Sequence, residues 1–97
     1  MERQRVIQIL QSRAAEARRL GATALYVFGS TARDEAGEQS DVDMFVDYDP
    51  EKFSFVELIR LRESLSQALG RRADLTTRQG LHPTLRGKIE CEAIRVF

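Results

Sequence analysis

The chain has 97 residues, with fifteen Lys and Arg balancing fifteen Asp and Glu, one His and one Cys. That length predicts a single domain over 1–97, with no room for a second substrate-binding lobe. The lone Cys91 excludes an internal disulfide and a cysteine metal cluster, and no apolar run approaches the ~20 residues that span a bilayer. With no apolar signal region behind the N-terminal residues, no membrane association is expected and cytoplasm is the expected location.

Residues 3–20 carry Val6, Ile7, Leu10, Ala14, Ala17 and Leu20 at helical spacing, and Gly21 closes the predicted helix as a C-cap. Residues 24–28 form a short apolar run of strand formers, stopped by Gly29. Residues 30–35 read as a short helix with Ser30 as N-cap, and residues 37–40 as a turn. Residues 41–48 alternate, with Val42, Met44 and Val46 on one face and Asp41, Asp43, Phe45 and Asp47 on the other. After a turn at Asp49 and Pro50, Ser54 and Glu57 stand at capping-box spacing before a helix that runs through Leu58, Leu61, Leu65 and Leu69 to Gly70. A third strand is predicted over 72–77, a helix over 84–92 after His82 and Pro83, and an extended end over 93–97. This order predicts an α/β fold: a small mixed β-sheet with helices packed on one side.

The acidic charge is concentrated. Residues 34–51 hold eight acids (Asp34, Glu35, Glu38, Asp41, Asp43, Asp47, Asp49 and Glu51) and no Lys or Arg, leaving seven acids and all fifteen bases elsewhere. A nucleic-acid-binding module more often shows a basic stripe without such a centre, so no direct nucleic-acid contact is expected. An acidic centre in a basic frame suits a divalent cation and a phosphate-bearing ligand. Asp41 and Asp43 project from one face of a strand, where two carboxylates repel unless a cation lies between them. They can share one Mg²⁺ or bridge two; a pair of surface carboxylates protecting an edge strand is the plainer alternative. Gly29 permits close backbone approach to an anion and Ser30 adds a donor, or the two make an ordinary strand-to-helix turn. Asp74 is out of place in a strand interior. If its strand lies beside the 41–48 strand it completes a carboxylate triad; otherwise it pairs with Arg71 or Arg72. His82 is read as a capping or surface residue and Cys91 as a packing residue; Tyr26 and Tyr48 are read as packing residues with self-modification as the alternative, and Phe53, Phe55 and Phe97 as core residues with an interface patch as the alternative.

Gly29-Ser30, the ten-residue gap, Asp41-Val42-Asp43 and the later Asp74 together resemble the minimal nucleotidyltransferases of the DNA polymerase β-like superfamily. Residues 26–33 look like that family's first strand and turn, residues 40–46 like its metal strand, and residues 73–77 and 80–83 like its closing segment. The resemblance covers nearly the whole chain. It implies nucleotidyl transfer with two Mg²⁺ ions and ATP, with Asp41, Asp43 and Asp74 as catalytic metal ligands. Gly29, Ser30 and Arg33 would bind the nucleotide phosphates. It further implies an antitoxin that adds AMP to a tyrosine of a HEPN-domain ribonuclease toxin, and so a hetero-oligomer. One departure stands out: Asp34 occupies a position where relatives usually have Gly, and Gly37 lies three positions later. Two other functions remain open from sequence: a binding module that neutralises its partner by occlusion, and a small-molecule nucleotidyltransferase whose acceptor domain comes from a second subunit.

Overall fold

The computed structural model describes residues 2–37 and 39–97. Met1 and Glu38, the latter within the acidic stretch and the expected 37–40 turn, lie outside the described residues. The chain runs α1 (Arg3–Gln11), α2 (Ala14–Leu20), β1 (Ala22–Val27), α3 (Gly29–Ala32), β2 (Val42–Tyr48), α4 (Phe55–Leu69), β3 (Ala73–Thr77), a 3-10 turn (Arg78–Gly80), α5 (Arg86–Glu92) and β4 (Ile94–Arg95). The sheet order is β3-β2-β1-β4. β1 is antiparallel to both β2 and β4, whereas β2 and β3 are parallel, so the sheet is mixed as the sequence predicts.

Strand alternation decides which face is buried. Val42, Met44 and Val46 of β2, with Leu25 and Val27 of β1, join Val6, Leu10, Ala17, Leu61, Leu65 and Leu69 of α1, α2 and α4 in one core. Those three helices therefore cover one face. Burying a single Leu or Val there is worth ~1.5–3 kcal/mol, and so fixes the register that turns Asp43 the other way. On that other face Phe45 is also buried, stacked on Tyr26 with ring centroids 4.7 Å apart.

α4 begins as expected. Ser54 and Glu57 form a reciprocal capping box, and the Ser54 amide donates to Glu57 Oε1 at 2.7 Å. Gly21 and Gly70 close α2 and α4 in the left-handed region. The single helix expected over 3–20 is two helices. Ser12 Oγ donates to the Ile9 carbonyl at 2.5 Å, and Arg13 leaves helical geometry at φ −103°, ψ 7°. A serine hydroxyl that competes for backbone carbonyls bends a helix without disturbing its apolar spacing, so the periodicity does not register the break. The bend brings Glu16 to α4, where it accepts from Ser64 Oγ at 2.9 Å. The last helix starts at Arg86 rather than 84, because His82 first closes a turn to Leu85 and Arg86. Among the described residues no helix is long and apolar enough to cross a membrane.

Candidate active site

The parallel pairing of β2 with β3 sets Asp74 beside Asp43 in register, which meets the condition for a carboxylate triad. Asp41 immediately precedes β2 and lies two residues from Asp43, on the same side by strand alternation. Asp41 and Asp74 are exposed and Asp43 is half-buried. Burial raises the Asp43 pKa above the usual aspartate range; the charges of Asp74 and then Asp41 raise it further, and Arg33 opposes the shift. Arg71 and Arg72 are otherwise engaged: Arg72 Nε lies 3.9 Å from Asp41 Oδ2, and Arg71 Nη2 donates to the Gly37 carbonyl at 2.6 Å. Among the described residues no three His, Cys, Asp or Glu side chains are gathered closely enough to hold a metal ion. The three aspartates are thus neighbours rather than a closed cage. Their donor set is all oxygen, the kind Mg²⁺ prefers, and the crowding at Asp43 is the strain a divalent cation relieves. A cavity of about 410 Å³, lined by Arg62, Glu63, Ser66, Arg72 and Ala73, opens beside Asp74.

β1 delivers the Gly29 corner to the same place. The Phe28 amide donates to the Asp43 carbonyl at 3.0 Å. Gly29 then turns with φ +68°, and a Cβ there would stand 2.7 Å from Asp43 Oδ2. The left-handed backbone disfavours any side chain at this position, and a methyl there would push the Asp43 carboxylate aside. The expected role of Ser30 as helix cap is corrected. Phe28 is the N-cap and α3 starts one residue earlier, with the left-handed Gly29 making the turn that a cap would otherwise make. α3 is also shorter than the 30–35 segment expected, because Asp34 takes a left-handed φ of 59°.

Asp34 occupies the position where the family resemblance leads one to expect Gly, and its backbone has the conformation Gly favours. Its Oδ1 accepts the Arg3 amide at 3.1 Å, while Arg3 Nη1 donates to the Ala32 carbonyl at 3.0 Å. The extra carboxylate is therefore engaged with the start of α1. Arg33 follows α3 and is exposed, with Nη1 at 3.3 and 3.1 Å from the two carboxylate oxygens of Glu92. Glu92 Oε1 also accepts the Gly29 amide at 3.1 Å. Glu92 is a site residue that the sequence does not announce, since it sits 63 positions from Gly29 with no motif around it.

Beyond the carboxylates, on the same face of the sheet, Arg78 is a second residue missed from sequence. Its guanidinium lies over the rings of Phe45 and Tyr26, at 4.8 and 5.0 Å from their centroids. Nε and Nη2 each donate to Asp47 at 2.8 Å, and Nη1 donates to Glu90 Oε2 at 2.5 Å. This ties β2 to α5 across the open face. The Arg78 hydrogen bonds hold the Asp47 and Glu90 carboxyls below their usual ranges. His82 acts as a cap, with Nδ1 accepting the Thr84 amide at 3.2 Å. Phe53 is buried and Tyr48 stacks on it at 5.3 Å, as packing residues should. Two packing expectations are corrected: Cys91 is exposed, on a helix with no buried residue, and Phe55 is 71 % exposed at the first turn of α4.

The nucleotidyltransferase domain family matches residues 4–96. A Methanocaldococcus jannaschii relative named "Putative protein adenylyltransferase MJ0435" is 39 % identical over 71 residues, which span 73 % of this chain and 75 % of that protein. A solved chain described as a minimal nucleotidyltransferase superposes with a TM-score of 0.84 at 35 % identity, covering 97 % of this chain and 95 % of its own. A chain from a toxin–antitoxin complex with AMP-PNP shares the fold, with a TM-score of 0.71 at 18 % identity over 90 % of this chain and 72 % of that one.

Proposed function

The chain belongs to the nucleotidyltransferase domain family, and from that premise we propose that it transfers AMP from ATP to a tyrosine hydroxyl of a HEPN-domain ribonuclease toxin, acting in the cytoplasm as its antitoxin. The observation that carries this reading is the in-register pairing of Asp43 with Asp74, beside a left-handed glycine turn that stands against Asp43. The name borne by the archaeal relative and the AMP-PNP complex of a chain sharing the fold support protein adenylylation with ATP.

Asp41, Asp43 and Asp74 would hold the metal, two Mg²⁺ ions in this reading. Bound Mg²⁺ supplies neutralisation of the triphosphate charge and acidity at the acceptor hydroxyl. The Gly29 amide and the Ser30 hydroxyl donate to phosphate oxygens, and Arg33 adds a charge-assisted donor. The tyrosine oxygen forms a bond to the α-phosphorus as the bond to the bridging oxygen breaks, and pyrophosphate leaves. The tyrosine proton passes to Asp74, which is exposed at the strand edge.

Incubation with the HEPN partner, Mg²⁺ and ATP labelled at the α-phosphate tests this reading. Label is expected on the partner and is expected to vanish with EDTA or with Asp43→Asn. A stable complex that carries no label, and a double Asp41→Asn, Asp43→Asn variant that still neutralises the toxin at equal stoichiometry, would establish occlusion instead.

A further inference from the structure

We propose that Glu92 is a built-in occupant of the phosphate corner, an intramolecular carboxylate that a nucleoside triphosphate displaces when it binds. The inference rests on the nucleotidyltransferase reading and deepens it, by naming what sets nucleotide affinity at that site.

Glu92 ends α5 and reaches back to α3 and the residue beyond it. One carboxylate oxygen takes the Gly29 amide at 3.1 Å, and both oxygens lie within 3.3 Å of Arg33 Nη1. These are two of the donors that a phosphate group requires. A carboxylate and a phosphate are both anionic oxygen acceptors, and one backbone N–H does not serve both at full strength. The Glu92 side chain is 21 % exposed, so the carboxylate rather than bulk water covers the corner.

The rest of the fold has little need of Glu92 in this position. α5 has no buried residue, and at seven residues it is too short to persist on its own account. Glu92 also stands at the C-terminal end of its helix, where the backbone carbonyls disfavour a negative charge. α5 is held independently two residues earlier, by Glu90 on Arg78, which is anchored in turn on Asp47. Glu92 can therefore swing away while α5 keeps its seat. The consequence is a charge contest at Arg33. A ligand that brings several phosphate charges displaces one carboxylate, whereas a monophosphate competes with it on nearly even terms. After transfer, the returning carboxylate favours loss of pyrophosphate from the same donors.

Calorimetric titration of AMP-PNP with Mg²⁺ into wild type, Glu92→Gln and Glu92→Ala tests this. Both variants are expected to bind about tenfold tighter, since the anion no longer has to break a charge-assisted contact. Most of the gain is expected to disappear in an Arg33→Ala background. Affinity equal to or weaker than wild type in both variants overturns the inference, and leaves nucleotidyl transfer standing if wild type still binds AMP-PNP and labels its partner. If no form binds AMP-PNP, the inference falls together with the reading beneath it. Should a variant lose the fold, the wild type itself decides by NMR. The Glu92 carboxyl carbon and the Gly29 amide are expected to shift together as AMP-PNP is added, and a Glu92 resonance that stays in place overturns the inference.

Discussion

Replacing Asp43 by Asn should stabilise the metal-free chain while removing its metal response. Asp43 lies on a strand adjacent to Asp74, in register, and two residues along from Asp41. Strand spacing is ~4.8 Å and two residues of strand span ~6.6 Å. At those separations in a water-like dielectric the two repulsions come to ~0.9 and ~0.6 kcal/mol, and screening at physiological salt roughly halves them. Partial burial of Asp43 adds a desolvation cost, so ~1 kcal/mol is expected from neutralising it. For a domain this small that corresponds to a rise of ~4–8 °C in melting temperature. The measurement is a thermal melt by circular dichroism, with EDTA and with Mg²⁺. In EDTA at neutral pH the variant should melt higher; with Mg²⁺ only wild type should gain. The pH dependence has a definite sign. The folded-state pKa of Asp43 is raised, so the native chain binds this proton more tightly than the unfolded chain, and wild-type stability falls as pH rises from the ordinary aspartate value to the folded one. The gap between variant and wild type should therefore open across that window and close below it. An Asp43→Asn variant that is no more stable than wild type in EDTA, or a gap indifferent to pH, would refute the crowding at Asp43.

Gly29→Ala imposes a left-handed alanine, at a cost of ~1–2 kcal/mol, and sets its methyl against Asp43 Oδ2. Melting should drop by several degrees, while transfer should fall by ~10²-fold or more because the Asp43 carboxylate is pushed aside. A side-by-side melt and label-transfer assay separates the two losses. Arg78→Gln removes the pairs to Asp47 and Glu90 and the cover over Tyr26 and Phe45, and should cost ~2 kcal/mol in denaturant titration. The Asp47 pKa is lowered in the fold, so its contribution is complete above the ordinary value of ~4 and is lost as pH falls through the folded value. The deficit of the Arg78→Gln variant should accordingly shrink in acid. Asp34→Gly relieves a left-handed aspartate but loses the bond to the Arg3 amide, so stability should stay within ~1 kcal/mol of wild type. Its AMP-PNP affinity should be unchanged; tighter binding would mean that the Asp34 carboxylate acts on the nucleotide after all.

What the sequence discloses here is whatever a local pattern specifies. The alternation of 42–48 assigns the two faces of β2, because one slip would bury Asp43 and Asp47 and expose Val42 and Met44. Ser54 and Glu57 start α4 through bonds confined to one turn. The break at Ser12 and Arg13 escapes because a bend preserves apolar spacing. Phe55 and Cys91 mislead because aromatic and thiol side chains are usually buried, whereas here each sits on the outer side of a helix end. The position of Asp74 is legible only as a condition, since nothing in residues 72–77 says which strand they join. Glu92 and Arg78 act through contacts made across the finished fold, and no spacing in the chain encodes them.

Those two late contacts divide the open sheet face into a fixed half and a labile half. At the Arg78 end, Arg78 pairs with Asp47 and Glu90 over two aromatic rings, Arg86 pairs with Glu90 as well, and the local charges balance. At the Gly29 end, a left-handed glycine stands against Asp43, whose carboxylate is crowded by Asp74 and Asp41 and only partly relieved by Arg33. Strain and like-charge crowding persist only where surrounding structure over-determines them, and here the core beneath β1 and β2 does so. The same residues that destabilise the metal-free corner are those a cation and a triphosphate would satisfy. Binding would therefore raise the stability of the labile half and leave the Arg78 half unchanged. Amide hydrogen exchange measured with and without AMP-PNP and Mg²⁺ should show protection gained at residues 28–34 and 41–43, and none around 77–80; protection spread evenly over the sheet would mean that the two halves are not separate.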